Sequence, residues 1–194
     1  MSEIIGIGID GRAKCGWCLA SPTYEAYHDE KWGVPIRDDQ DLFAKLMLDG
    51  FQAGLSWSTI LNKWDNFDRA FDGWDPEKIA VYTQDDIDRL MSDPGIVRNR
   101  LKVNGAVKNA RAYLQLQEEE GSFSDYLWSF VGGDTIVMRP TGQEEFRTTS
   151  PESDAMSKAL KQRGFTFVGS TICYAFMQAA GLIDDHVIGC WRVG

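Results

Sequence analysis

Apolar positions recur along most of the chain at the spacing of a helix. Leu42, Phe43, Leu46, Met47 and Phe51 share one helical face, and Asp38 and Asp39 can cap its start. Ile60, Leu61, Trp64, Phe67 and Phe71 resume the spacing after a break at Gly54 to Ser56. Asp75-Pro76 reads as an N-cap followed by proline at the first helical position. Thr83 with Asp86 reads as a capping box ahead of Ile87, Leu90 and Met91, and Pro94-Gly95 then forces a turn. Leu101, Ala106, Val107, Ala110, Tyr113 and Leu114 predict a long helix, and Tyr126, Leu127 and Phe130 a short one. Residues 132–149 have no period and predict an irregular segment with a little strand. Ser150-Pro151 opens a helix that ends at Gly164, and Ser170 to Ala180 makes the last one, stopped by Gly181. The uncharged stretch Phe165 to Ile183 is interrupted by Gly169, Ser170, Thr171, Gln178 and Gly181, so it reads as a buried helix rather than a membrane span. The predicted fold class is all-α.

Composition narrows the picture. The chain has 194 residues, of which 43% are hydrophobic and 25% charged. That suits one large domain or two small lobes, and excludes wholesale disorder. A net charge of −9 argues against a surface that is wholly a trap for nucleic acid or anionic membrane. The charge is segregated, however. Arg89, Arg98, Arg100, Lys102, Lys108 and Arg111 share a window with one acid, Asp93, leaving −14 on the rest of the chain. The turn within Leu90 to Arg100 can aim backbone N–H groups at a phosphate; an ordinary turn with a solvated basic face is the other reading. The opening MSEIIGIGID has no basic run, which predicts no secretory leader and a cytoplasmic setting. Gly6 to Gly11 matches G-x-G-x-x-G, but no strand precedes it and no helical period follows. It reads as a glycine-containing tail, not a dinucleotide loop.

Two groups of residues carry candidate chemistry. The two histidines, His28 and His186, each have a cysteine nearby in sequence, Cys15 and Cys190. Together the four would form a closed tetrahedral site of the kind zinc prefers, joining the two ends of the chain. Cys15 and Cys18 form a competing C-x-x-C pair, metal-binding or redox. Aromatic residues crowd the first third: Trp17, Tyr24, Tyr27, Trp32, Phe51 and Trp57, with Asp29, Glu30 and Asp49 among them. A pocket that stacks a flat, cationic ring and reads its edge with an acid needs these residue types; an aromatic core with acids outside would have them too. Gly54-Leu55-Ser56 presents one apolar side chain that can wedge into a base stack.

These motifs, taken in order, carry a resemblance. The runs are Cys15-Gly16-Trp17, Ala26 to Pro35, Gly50 to Trp57, Gly95 to Arg100, Gly164 to Gly169 and Asp185-His186-Val187. The chain resembles the type I 3-methyladenine DNA glycosylases of the helix-hairpin-helix superfamily. The resemblance implies two small helical lobes within a single domain over 15–194, with 1–14 as an extension. It implies hydrolysis of the N-glycosidic bond of 3-methyladenine in alkylated duplex DNA, releasing the free base without strand cleavage. It implies one structural zinc ion on Cys15, His28, His186 and Cys190, with Cys18 left over. Tyr27 and Trp57 would sandwich the flipped base, with Trp17, Tyr24 and Trp32 nearby. Gly54, Leu55, Gly95, Arg98 and Arg100 would meet DNA. A cytoplasmic monomer without membrane contact completes the expectation. One departure stands out: the family's base-reading acid is a glutamate in Leu-Glu-Gly, and here the run is Leu48-Asp49-Gly50. Another alkylated purine as substrate, or binding of modified DNA without catalysis, are the alternatives.

Overall fold

A computed structural model describes residues 4–193. In chain order the elements are β1 (Ile5–Ile7), β2 (Ala13–Cys15), α1 (Pro22–Glu30), α2 (Asp39–Gln52), α3 (Trp57–Leu61), α4 (Trp64–Ala70), α5 (Pro76–Ala80), α6 (Gln84–Ser92), α7 (Arg100–Glu120), α8 (Phe123–Ser129), β3 (Ile136–Val137), α9 (Pro151–Gln162), α10 (Ser170–Ala179) and β4 (Ile183–Asp184). The fold is mostly helical, as the periodicity predicts. None of the described helices is long and apolar enough to cross a membrane.

The predicted helix starts are made by the predicted side chains. Asp38 accepts from the backbone N–H groups of Gln40 and Asp41, both at 2.9 Å. Asp75 caps α5, and Thr83 and Asp86 form the capping box of α6. Asp39 behaves differently. It turns away from its own helix and accepts from the N–H groups of Ser124 (2.7 Å) and Phe123 (3.0 Å), capping α8 from 84 residues away. Helix α1 was not foreshadowed by periodicity. Its side chains Tyr24, Tyr27 and His28 face a cavity and a polar cluster, so no apolar stripe is needed.

The glycine-rich start is not a free tail. β1 and β2 pair antiparallel, with Gly6 opposite Lys14. Lys14 is buried, and its Nζ donates to Asp29 (2.6 Å) and Glu25 (3.0 Å). A Cβ at Gly8 would lie 2.5 Å from the Lys14 stem and 2.6 Å from the Glu25 carboxylate. Gly11 turns the hairpin at φ +79°. The glycines therefore make room for an ion cluster and a turn, which accounts for the pattern without a nucleotide.

Helix α7 lies centrally, against α5, α6, α8 and α2, while α9 packs on α10 and α10 on α2. Buried apolar residues form one large cluster across these helices. A smaller cluster contains Cys15, Tyr27, Trp32, Ala179, Val187 and Cys190. Asn109 of α7 fixes the segment before α10: its Oδ1 accepts from the Thr166 N–H (2.7 Å) and its Nδ2 donates to the Thr166 carbonyl (3.0 Å).

Candidate active site

A cavity of about 780 Å³ opens where α1, α2, α3 and α10 meet. All six residues that the sequence assigns to a base pocket line it: Trp17, Tyr24, Tyr27, Trp32, Trp57 and Asp49. Trp17 stands edge-on to Tyr24, Tyr27 and Trp32, with ring centroids 5.0–6.5 Å apart. Tyr27 and Trp57 are 5.3 Å apart and tilted by 46°. A ring stacked between two others needs a separation of about 7 Å, twice the contact distance. Tyr27 and Trp57 are thus adjoining walls, and the expected sandwich is not preformed.

Asp49 is 2% exposed and has a partner the sequence reading passed over. Lys45, one turn earlier on α2, donates from Nζ to Asp49 Oδ1 at 2.5 Å and sits 4.4 Å from the centroid of the Trp57 ring. Burial pushes the Asp49 carboxyl up and the Lys45 ammonium down, each held back by the other's charge. Asp49 Oδ2 and Trp57 Nε1 are buried without a hydrogen-bond partner. An unpaired buried polar atom costs about 1–3 kcal/mol. Two such atoms on one cavity mark where a polar ligand edge belongs.

The basic window is less available than its charge suggests. Lys102 is buried and donates to the carbonyls of Phe51 (2.8 Å) and Ala53 (2.6 Å), at the end of α2. Arg89 donates to the Ala70 carbonyl at the end of α4, and Arg111 to the Ala80 carbonyl at the end of α5. Three of the six cations thus satisfy helix C-termini. Arg98 and Arg100 remain exposed, Arg100 within 3.2 Å of Asp88. In the turn between α6 and α7 the Gly95 N–H donates to Asp93 Oδ1 at 2.7 Å, while Lys63 donates to the Pro94 carbonyl at 2.9 Å. Gly54 has φ +76°, and Leu55 beside it is 41% exposed.

At the far side of α1, the ligand atoms of Cys15, His28 and Cys190 lie within 4.8 Å of one another, all buried, and could hold a metal ion. His28 Nε2 lies 3.4 Å from the Cys190 sulfur, and Cys15 and His28 together draw the Cys190 thiol down against the effect of burial. His28 Nδ1 is fixed by Asp29 (2.8 Å), and His186 Nδ1 by Asp184 (2.7 Å). The His186 ring centroid lies 5.1 Å from that of His28. Its Nε2 is buried and unpartnered. All four cysteines are free, buried thiols.

A family model described as methyladenine glycosylase matches residues 17–193. The chain belongs to the methyladenine glycosylase family. Within that family it is 50% identical to DNA-3-methyladenine glycosylase 1 of Escherichia coli K12, over 91% of this chain and 95% of the relative. It is 47% identical to the DNA-3-methyladenine glycosylase of Haemophilus influenzae, over 91% and 96%. A crystal structure of 3-methyladenine DNA glycosylase I superimposes with a TM-score of 0.89 at 46% identity, covering 92% of this chain and 98% of that one. A variant of 3-methyladenine DNA glycosylase I, solved in complex with 3-methyladenine, superimposes at 0.86 with 41% identity, over 89% and 92%.

Several cavity residues escaped the sequence reading. Lys45 had a signal, since lysine four residues before an acid shares its helical face. Gln178 and Asp185 meet only in the folded chain: Asp185 Oδ2 accepts from Gln178 (2.7 Å) and from the Tyr174 hydroxyl (2.6 Å). Phe146 and Arg147 reach the rim from the irregular segment and carry no pattern at all.

Proposed function

We propose that this cavity receives the 3-methyladenine base that the chain excises from alkylated DNA as a repair glycosylase. Family membership and relatives of 47–50% identity make it a 3-methyladenine glycosylase enzyme, and the binding-only alternative gives way to them. The observation that carries the assignment of the site is the pair of buried, unpartnered atoms, Asp49 Oδ2 and Trp57 Nε1, on one aromatic cavity.

An N3-methylated adenine in DNA carries positive charge and is already a good leaving group, so positioning supplies much of the rate. Asp49 Oδ2 accepts from the exocyclic amine. Tyr27 and Trp57 contact the ring from adjoining walls, and Trp17, Tyr24 and Trp32 close the remaining ones. Water attacks the sugar C1′ as the base leaves, with no covalent enzyme intermediate. The α6–turn–α7 unit acts as the helix-hairpin-helix contact to duplex DNA, through the Gly95 turn with Arg98 and Arg100. Leu55, raised on Gly54, fills the space left by the flipped base. Residues 15–194 act as one glycosylase domain of two helical lobes.

Cys15, His28, His186 and Cys190 would hold one zinc ion. The orphaned His186 Nε2 and the carboxylates behind both histidines support this set. Four protein ligands leave no open position, so the ion stabilises the fold.

The test is release of free bases from randomly methylated duplex DNA, with each product identified by chromatography. The expected result is free 3-methyladenine, with the Asp49→Asn protein slowed at least tenfold. Undiminished release by Asp49→Asn would remove the assigned role of Asp49.

A further inference from the structure

A base can enter the cavity only if its nucleotide leaves the duplex stack, and the sugar and its flanking phosphates then stay at the mouth. Those phosphates are anionic, and the chain carries −14 outside its basic window. Two cations line the cavity among the described residues, Lys45 and Arg147. Lys45 is buried and paired with Asp49 at 2.5 Å. Arg147 is exposed at the rim and has no hydrogen-bond or ion-pair partner among the described residues. Carboxylates are at hand. Glu144 and Glu145 precede it in sequence, and Asp185 lines the same cavity. Glu145 instead accepts from the Thr141 N–H (2.6 Å) and hydroxyl (3.1 Å), and Asp185 from Tyr174 and Gln178. The guanidinium keeps its donors free, in a fork that matches a phosphate. Phe146 beside it is 43% exposed, the most exposed aromatic residue of the cavity lining. Both residues are held at the rim by their own segment. The Ile188 N–H donates to the Pro140 carbonyl (3.0 Å), the Phe146 N–H donates to the Gln143 carbonyl (3.2 Å), and Ser150 caps α9 just after.

We propose that Phe146 and Arg147 clamp the sugar-phosphate backbone of the everted nucleotide. Arg147 donates to a phosphate flanking that nucleotide, and Phe146 packs against the apolar face of its deoxyribose. The proposal rests on the base-pocket reading above. The clamp differs in kind from the hairpin contact, which meets duplex backbone whether or not a base is damaged. It has a target only when a nucleotide stands at the cavity mouth. It also outlasts the reaction, because hydrolysis of the N-glycosidic bond removes the base and leaves the sugar and phosphates in place. The abasic product therefore remains a ligand of the same two residues.

The experiment measures affinity for duplexes of one sequence. One is undamaged, and one carries a tetrahydrofuran abasic analogue. Two more carry that analogue with a neutral methylphosphonate replacing the phosphate on its 5′ or its 3′ side. The natural protein is compared with Arg147→Ala, Arg147→Lys and Phe146→Ala; both side chains are exposed, so the variants keep the fold. Arg147→Ala is expected to bind the abasic duplex about tenfold or more weakly, as loss of a charged hydrogen bond requires, and the undamaged duplex unchanged. Arg147→Lys keeps the charge without the fork and restores part of the loss. Phe146→Ala weakens abasic binding about threefold. One of the two methylphosphonates weakens the natural protein as much as Arg147→Ala does and weakens Arg147→Ala no further, a coupling that a merely structural role would not produce. Abasic affinity unchanged in Arg147→Ala, an equal loss on undamaged DNA, or methylphosphonate and Arg147→Ala losses that multiply overturns the clamp. Release of 3-methyladenine by the natural protein judges the base-pocket reading separately. Failure of the clamp with that release intact leaves the pocket standing, and absence of release overturns both.

Discussion

Two cations within a few residues of each other stand in opposite surroundings. Lys102 is buried with two carbonyls on its ammonium, whereas Arg98 is exposed. Lys102→Met leaves the Phe51 and Ala53 carbonyls without that donor. It is expected to lower stability by about 1–3 kcal/mol in urea unfolding while leaving the salt dependence of DNA binding unchanged. Arg98→Ala should do the reverse. Stability stays within about 0.5 kcal/mol, DNA affinity falls for all sequences alike, and the slope of log affinity against log salt drops by about one. A count of charges over Arg89 to Arg111 treats these residues as equals. Only the burial of Lys102 and the carbonyls facing Arg89 and Arg111 separate them, and those carbonyls come from other helices. Asp49 and the aromatic residues were legible as a group lining one cavity because a pocket for a flat ring needs particular residue types. Lys45 was missed because an i, i+4 pair ordinarily reads as a surface pair.

Helix ends were the most legible elements, since a cap is a local matter of one side chain and two or three N–H groups. Asp39 is the exception, and it makes a pH-dependent link between elements. Burial would raise its pKa, but hydrogen bonds from Gln117 and the N–H groups of Ser124 and Phe123 outweigh burial and lower it. A carboxyl with a folded pKa below its unfolded value contributes stability that is complete above the unfolded value, near 4. That contribution disappears as pH falls through the folded pKa. Asp39→Ala is therefore expected to cost about 1 kcal/mol at pH 7, with the gap to the natural protein closing as pH falls below about 4 and through the folded pKa. Thermal melts across that range measure it. Helix α1 and the β1–β2 hairpin were illegible for a different reason. Neither has a core-facing stripe, because α1 faces the cavity and the hairpin is anchored by the Lys14 ion cluster.

At the scale of the molecule, the small buried cluster joins residues from both ends of the chain: Cys15 and Tyr27 with Val187 and Cys190. Zinc on the four proposed ligands predicts that a strong chelator lowers the melting temperature and releases one metal ion per chain. The stabilisation lost is about 4 kcal/mol at a free metal level a thousandfold above Kd. Cys190→Ser should abolish most of that response and Cys18→Ser should leave it, as metal analysis and melting of each variant would show. The gathering of Cys15, His28 and Cys190 was legible in the sequence, while His186 stands outside that cluster of three. The partners that hold the rings, Asp29 and Asp184, were not, because a carboxylate beside a histidine in sequence has no orientation until the chain is folded.

The meeting of distant segments also sets a timetable. His28 and Cys190 touch although 162 residues separate them. At about 5–20 residues per second, a ribosome takes roughly 10–30 s to cover that distance. During that interval Tyr27 and Trp17 have been made, but Gln178 and Ala179, which line the same cavity, have not. The lining of the cavity is therefore incomplete until the last helix has been translated.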